Sequence, residues 1–200
     1  MQKHALIFLT GMYFFSGVGH AQSALDKYLG KSADVSSSAP KSKNDDGGIN
    51  KVFTGPNGYW RLDDTRLTGG FCAITYSSAS NSAGYVGPVG NSTEAFIVFN
   101  GPSIPPTSKE VRKRVTLTTG DGEVQTVDAF HAPNSNQDGG AIIVFRLSNI
   151  QAAMDGLSDV ENLNVVMDAK QVFALKWQGG HTARKAMQTC LGGAAKTTAR

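Results

Sequence analysis

Alternation of apolar and polar positions runs through the chain from about residue 52 onward, and it predicts a strand-rich domain. Gly70–Tyr76 places Phe71, Ala73 and Thr75 on one face and Cys72, Ile74 and Tyr76 on the other. Tyr59–Leu62 forms a short strand carrying Trp60, entered through the turn Thr54-Gly55-Pro56-Asn57-Gly58. Ala95–Phe99 is continuously apolar, as expected of a strand buried on both faces. Arg112–Thr118 and Val124–Phe130 flank Gly120-Asp121-Gly122, where Asp-Gly signals a hairpin turn. Ala141–Leu147 has the clearest strand pattern, and Leu163–Met167 and Val172–Trp177 follow, joined by Asp168-Ala169-Lys170 as a turn.

Helical spacing occurs twice. Ile150, Ala153, Met154 and Leu157 share one face of a segment that Ser148 or Asn149 can cap. Ala183, Ala186, Met187, Cys190 and Leu191 form a stripe on Thr182–Leu191, with Thr182 as the cap. The predicted fold is α+β: one domain over 52–193, a mostly antiparallel β-sheet or sandwich of seven or eight strands, and a C-terminal helix packed on it.

The polar stretches divide the rest. Ser77–Ser92 is rich in Ser, Asn and Gly and predicts a long exposed loop with Tyr85 and Val86 as its bulky members. Pro102, Pro105 and Pro106 mark a rigid connection around Ile104. Residues 22–51 read as a short helix at Ser23–Gly30 and then a flexible linker, and 194–200 as a polar tail.

Residues 1–21 change the setting of everything after them. Lys3 and His4, the apolar run Ala5–Val18 and the ending Gly19-His20-Ala21 have the form of a cleavable export signal. The run is shorter than the roughly 20 residues that a membrane span needs. The expected location is periplasmic or secreted, as a soluble mature protein. In an oxidising compartment Cys72 and Cys190, the two cysteines of the chain, are expected to form a disulfide. The formal net charge is +3, and removal of Lys3 lowers it, so electrostatics give no case for a nucleic-acid partner.

Candidate chemistry is sparse. His131 with Asp128 is the pair on which a small hydrolase would rest, with a loop serine as nucleophile. No Gly-x-Ser-x-Gly elbow supports it. His181, beside Gly179-Gly180, precedes a helix whose first amides could hold a carboxylate. Asn134–Gly139 copies half of a calcium loop, but its twelfth position falls on Phe145, so no metal site is expected. Two mature histidines and two paired cysteines leave no zinc set, and no motif implies a cofactor. Lys109, Arg112, Lys113 and Arg114 form a basic run that would protect an edge strand. Trp60 and Trp177 are core residues unless both are exposed as a sugar platform.

The segment Val172–Leu191, V-F-A-L-K-W-Q-G-G-H-T-A-R-K-A-M-Q-T-C-L, resembles the ends of small exported Gram-negative envelope proteins of the invasion-associated locus B group. The resemblance covers about 20 of 200 residues. It implies an exported envelope protein and carries no functional residue across.

The expected function is therefore that of a non-enzymatic periplasmic protein acting through a protein partner in the envelope, as a secretion accessory, inhibitor or immunity-type protein. Tyr85, Val86, Ile104, Arg112 and Arg114 are the expected partner-binding residues. The alternatives are the hydrolase built on His131 and Asp128, and a carbohydrate or small-ligand binding module.

Overall fold

The computed structural model describes residues 49–65, 70–88, 94–134 and 140–192. The expectations for residues 1–48 and 194–200 lie outside these. Described elements run β1 (Ile49–Gly55), β2 (Gly58–Asp64), β3 (Cys72–Ser77), β4 (Ser82–Gly87), β5 (Ala95–Asn100), β6 (Val111–Thr118), β7 (Val124–Pro133), β8 (Ala141–Leu147), α1 (Ile150–Asp155), β9 (Glu161–Met167), β10 (Lys170–Trp177) and α2 (Gly180–Gly192). One antiparallel sheet takes all ten strands in the order β1-β2-β3-β4-β5-β8-β7-β6-β9-β10.

The period-two pattern sorts side chains onto two faces of this sheet. Cys72, Ile74, Tyr76, Ala83, Tyr85, Ala95, Phe99, Ile143 and Phe145 belong to the main core. Their chain neighbours Ala73, Val86, Phe96, Val98, Ile142 and Val144 form a smaller apolar cluster with Phe71 and Ala132. The sheet folds over so that β10 lies against the inner face of the first strands. Phe99 of β5 and Phe173 of β10 have ring centroids 4.9 Å apart, and Trp60 of β2 and Trp177 of β10 are 5.8 Å apart. The result is a sandwich made from one sheet, as the alternation predicts.

Two side-chain bonds tie the β10 segment to the first strands of the sheet. Trp60 Nε1 donates to the Gln178 carbonyl at 2.8 Å, and Asn81 Nδ2 donates to the Ala174 carbonyl at 2.8 Å. The second covers a backbone acceptor on β10, an edge strand. Both helices pack on the inner side: a Cβ added at Gly87 of β4 would meet Leu191, Met187 and Ile150 within 3.1 Å. Cys72 of β3 and Cys190 of α2 are joined by a disulfide with Cα atoms 6.1 Å apart.

Several expectations need correction. The sheet has ten strands instead of seven or eight, because β1 begins inside the expected linker and β4 occupies the expected loop. Ser82–Gly87 pairs with β3 on one side and β5 on the other, so its backbone is satisfied by neighbours and not by its own composition. Interior, too, is β6, between β7 and β9, and not an edge. Its pairing with β9 covers only Val115–Thr118, which leaves the basic half beyond the end of β9. The Lys113 ammonium closes that corner on Asp168 at 2.9 Å. Asn149 caps α1, accepting from the Gln151 and Ala152 amides. Thr182 does not cap α2, which starts at Gly180 and takes its cap from Asp159: Gly180 N donates to the Asp159 carbonyl and His181 N to its Oδ1.

Candidate functional site

The histidines serve structure. His131 is buried on β7, and its Nε2–H donates to the Pro105 carbonyl at 2.7 Å. That bond seats the proline-rich connection over Ile104, which is 3% exposed and part of the core. Asp128, an odd number of positions away, faces the other side of β7 and pairs with Arg112 at 2.7 Å. The hydrolase pair is thus split by the sheet. His181 is exposed, and the amides an anion would use beside it are taken by Asp159.

The tryptophans do not form an exposed platform: Trp60 is fully buried and Trp177 is 3% exposed. Trp177 Nε1 donates to the Ser158 carbonyl at 3.1 Å. Of the expected partner-binding residues, Tyr85, Val86 and Ile104 are buried, and Arg112 and Arg114 are exposed on the face bearing Asp128. Asp64 has a carboxylate oxygen within 4.8 Å of both cysteine sulfurs, but sulfurs joined in a disulfide offer no thiolate to a cation.

What the fold does assemble is a cavity of about 70 Å³ between the two halves of the sandwich. Ile97 and Phe99 of β5 and Phe145 and Leu147 of β8 form one wall. Leu117 of β6, Leu163 of β9 and Trp177 of β10 form the facing wall, and Ala153 and Leu157 close the end beneath α1. Tyr85 reaches this space from β4. It is 8% exposed, and its hydroxyl makes no hydrogen bond with the described residues. Burial, with the charge of Glu161 adding to it, pushes the phenol well above the ordinary tyrosine range.

The mouth is polar: Thr119, Glu123, Gln125, Ser158 and Glu161 line it. Glu161 is held in place because its Oε1 accepts from the Gly120 amide at 2.7 Å and the Asn162 amide at 2.9 Å. Glu123 Oε1 accepts from the Gln125 amide group at 3.2 Å. The Asp-Gly turn predicted at 120–122 therefore sits at this mouth, with Gly122 at φ +84° and Asp121 Oδ1 taking the Thr119 hydroxyl and the Glu123 amide. His131 lies at the far end of β7, roughly 20 Å away at about 3.3 Å per residue. Sequence reasoning missed the cavity, and Tyr85, an aromatic inside a polar stretch, was its one visible sign.

Comparison of the chain with models of protein families, with curated proteins and with solved structures finds no match.

Proposed function

We propose that the protein is a non-enzymatic, exported binding protein of the bacterial envelope, and that its site is the cavity beneath Tyr85. The observation that carries this reading is the cavity itself, apolar within and lined at its mouth by Glu123, Gln125 and Glu161. An apolar chamber with few convergent polar groups is the usual form of a small-molecule site. The export reading draws support from the signal-like pattern at Met1–Ala21 and from the Cys72–Cys190 bond, which fits an oxidising compartment. The resemblance of Val172–Leu191 to exported envelope proteins adds to it; that segment is β10, the glycine turn and α2.

The test is a titration with isopropanol, a branched aliphatic whose three carbons suit the chamber, followed by NMR and by Trp177 fluorescence. Shifts should centre on Tyr85, Phe145 and Trp177. Ile97→Phe, which grows a half-buried side chain into the space, should abolish them while the protein stays folded. Binding that survives this filling would overturn the reading.

A protein partner is the second reading, favoured by Val124 at 61% and Val160 at 54% exposure, the large apolar side chains most exposed among the described residues. They adjoin Glu123 and Glu161 in the chain, and so flank the cavity mouth. Replacing both with serine should release the protein from an envelope complex on size exclusion; unchanged elution would count against it.

A further inference from the structure

Resting on the cavity reading, the charges at the mouth narrow what the cavity holds. Its lining includes Glu123 and Glu161 and, among the described residues, no lysine, arginine or histidine. Each of these carboxylates spends one oxygen on the protein, at Gln125 for Glu123 and at the Gly120 and Asn162 amides for Glu161. Neither second oxygen has a hydrogen bond with the described residues. A more open hollow of about 300 Å³ alongside, sharing Ser158 and Glu161, adds Asp121 and Lys176, which offset one another, so the entrance stays acidic.

Depth sets the other end of the ligand. The chamber is about 70 Å³, near half of the roughly 150 Å³ cavity that admits a benzene ring. It suits a short alkyl group of about three carbons, half the carbon count of a benzene ring. Tyr85 lines the same chamber as the two glutamates.

We infer that the ligand is a small aliphatic primary amine, with its alkyl group against Phe99, Phe145 and Leu163 and its ammonium between Glu123 and Glu161. Charge-assisted hydrogen bonds are about twice as strong as neutral ones, which makes the ammonium the main source of selectivity. The alkyl group supplies affinity by burial, and an alcohol of the same shape shares that part only.

The experiment compares isopropylamine with isopropanol by NMR titration against the full mature protein at neutral pH and low salt. The amine should bind about tenfold or more tightly than the alcohol. In the double variant Glu123→Gln and Glu161→Gln, that ratio should fall to near one. Glutamine keeps an oxygen for the Gly120 and Asn162 amides, and amide spectra of the variant report whether the turn is intact. If the variant turn is lost, the single Glu123→Gln protein serves, with a partial fall in the ratio expected. Equal binding of amine and alcohol by the unmodified protein would overturn the amine assignment and leave the cavity reading standing. Binding of neither would overturn both. A ratio unchanged by the substitutions would also defeat the assignment.

Discussion

Tyr85, 8% exposed, brings a phenol to the cavity, and the consequences can be measured without any ligand. Its hydroxyl has no hydrogen bond with the described residues, so removing it breaks none and leaves the ring packing in place. Tyr85→Phe should therefore hold or raise stability at pH 7, by up to about 1 kcal/mol in urea denaturation. A clear loss would mean that the hydroxyl has a protein partner in solution. Alkaline pH adds a second signature. The folded phenol is shifted upward, by burial first and by Glu161 next, so the folded state keeps a proton that the unfolded chain gives up near pH 10. The stability linked to Tyr85 is thus complete below about pH 10 and is lost as pH rises beyond it. Burial raises Tyr76 in the same direction, so the unmodified protein should weaken steadily above pH 10. Tyr85→Phe should weaken less steeply over that range, and an identical slope would contradict the assignment.

Among the elements, the β9–β10 hairpin is the one whose turn works against its own residues. Asp168 and Ala169 have φ of 51° and 61°, the left-handed pair that matches the twist of a two-residue hairpin. Aspartate tolerates this conformation, but alanine pays about 1 kcal/mol or more for it. Ala169→Gly should raise stability by up to about 1 kcal/mol, or roughly 2–4 °C in melting temperature. A lower melting point would show that glycine's freedom in the unfolded chain outweighs the relief. This turn was legible from Asp168-Ala169-Lys170, as were the Asp-Gly turn and the strands with β-branched or aromatic alternation. β4 was not, because four of the six residues of Ser82–Gly87 are Ser, Ala or Gly, which read as a loop. Gly87 has no room for a Cβ beside Leu191, Ile150 and Met187, and those side chains arrive from helices more than sixty positions later. The cavity was hidden for a related reason: its walls come from seven strands and a helix, and no short window of sequence contains them together.

At the scale of the whole molecule, the disulfide joins β3, near the start of the described sheet, to α2 at its end. Trp60 and Trp177 meet between the same two ends, and Gly179, at φ +76°, turns the chain from β10 into α2 with the Phe53 ring so close that a Cβ would lie 2.6 Å from it. The cross-link closes a separation of 118 residues, and chain-entropy reasoning gives it about 4–5 kcal/mol. At roughly 2–4 °C per kcal/mol, Cys72→Ala with Cys190→Ala should melt about 10–20 °C lower than the oxidised protein. Reduction of the unmodified protein should produce a similar fall, since both remove the same constraint from the unfolded chain. The cavity lies between the sheet halves and under α1, none of its lining residues comes from α2 among the described residues, and Arg184 of α2 donates to the Leu157 carbonyl at 2.5 Å. Loss of the bond should therefore lower the melting temperature while isopropylamine, below the new melting point, still binds. Binding lost together with the bond, in protein shown to be folded, would place the staple in the site itself and require the cavity to depend on where α2 is held.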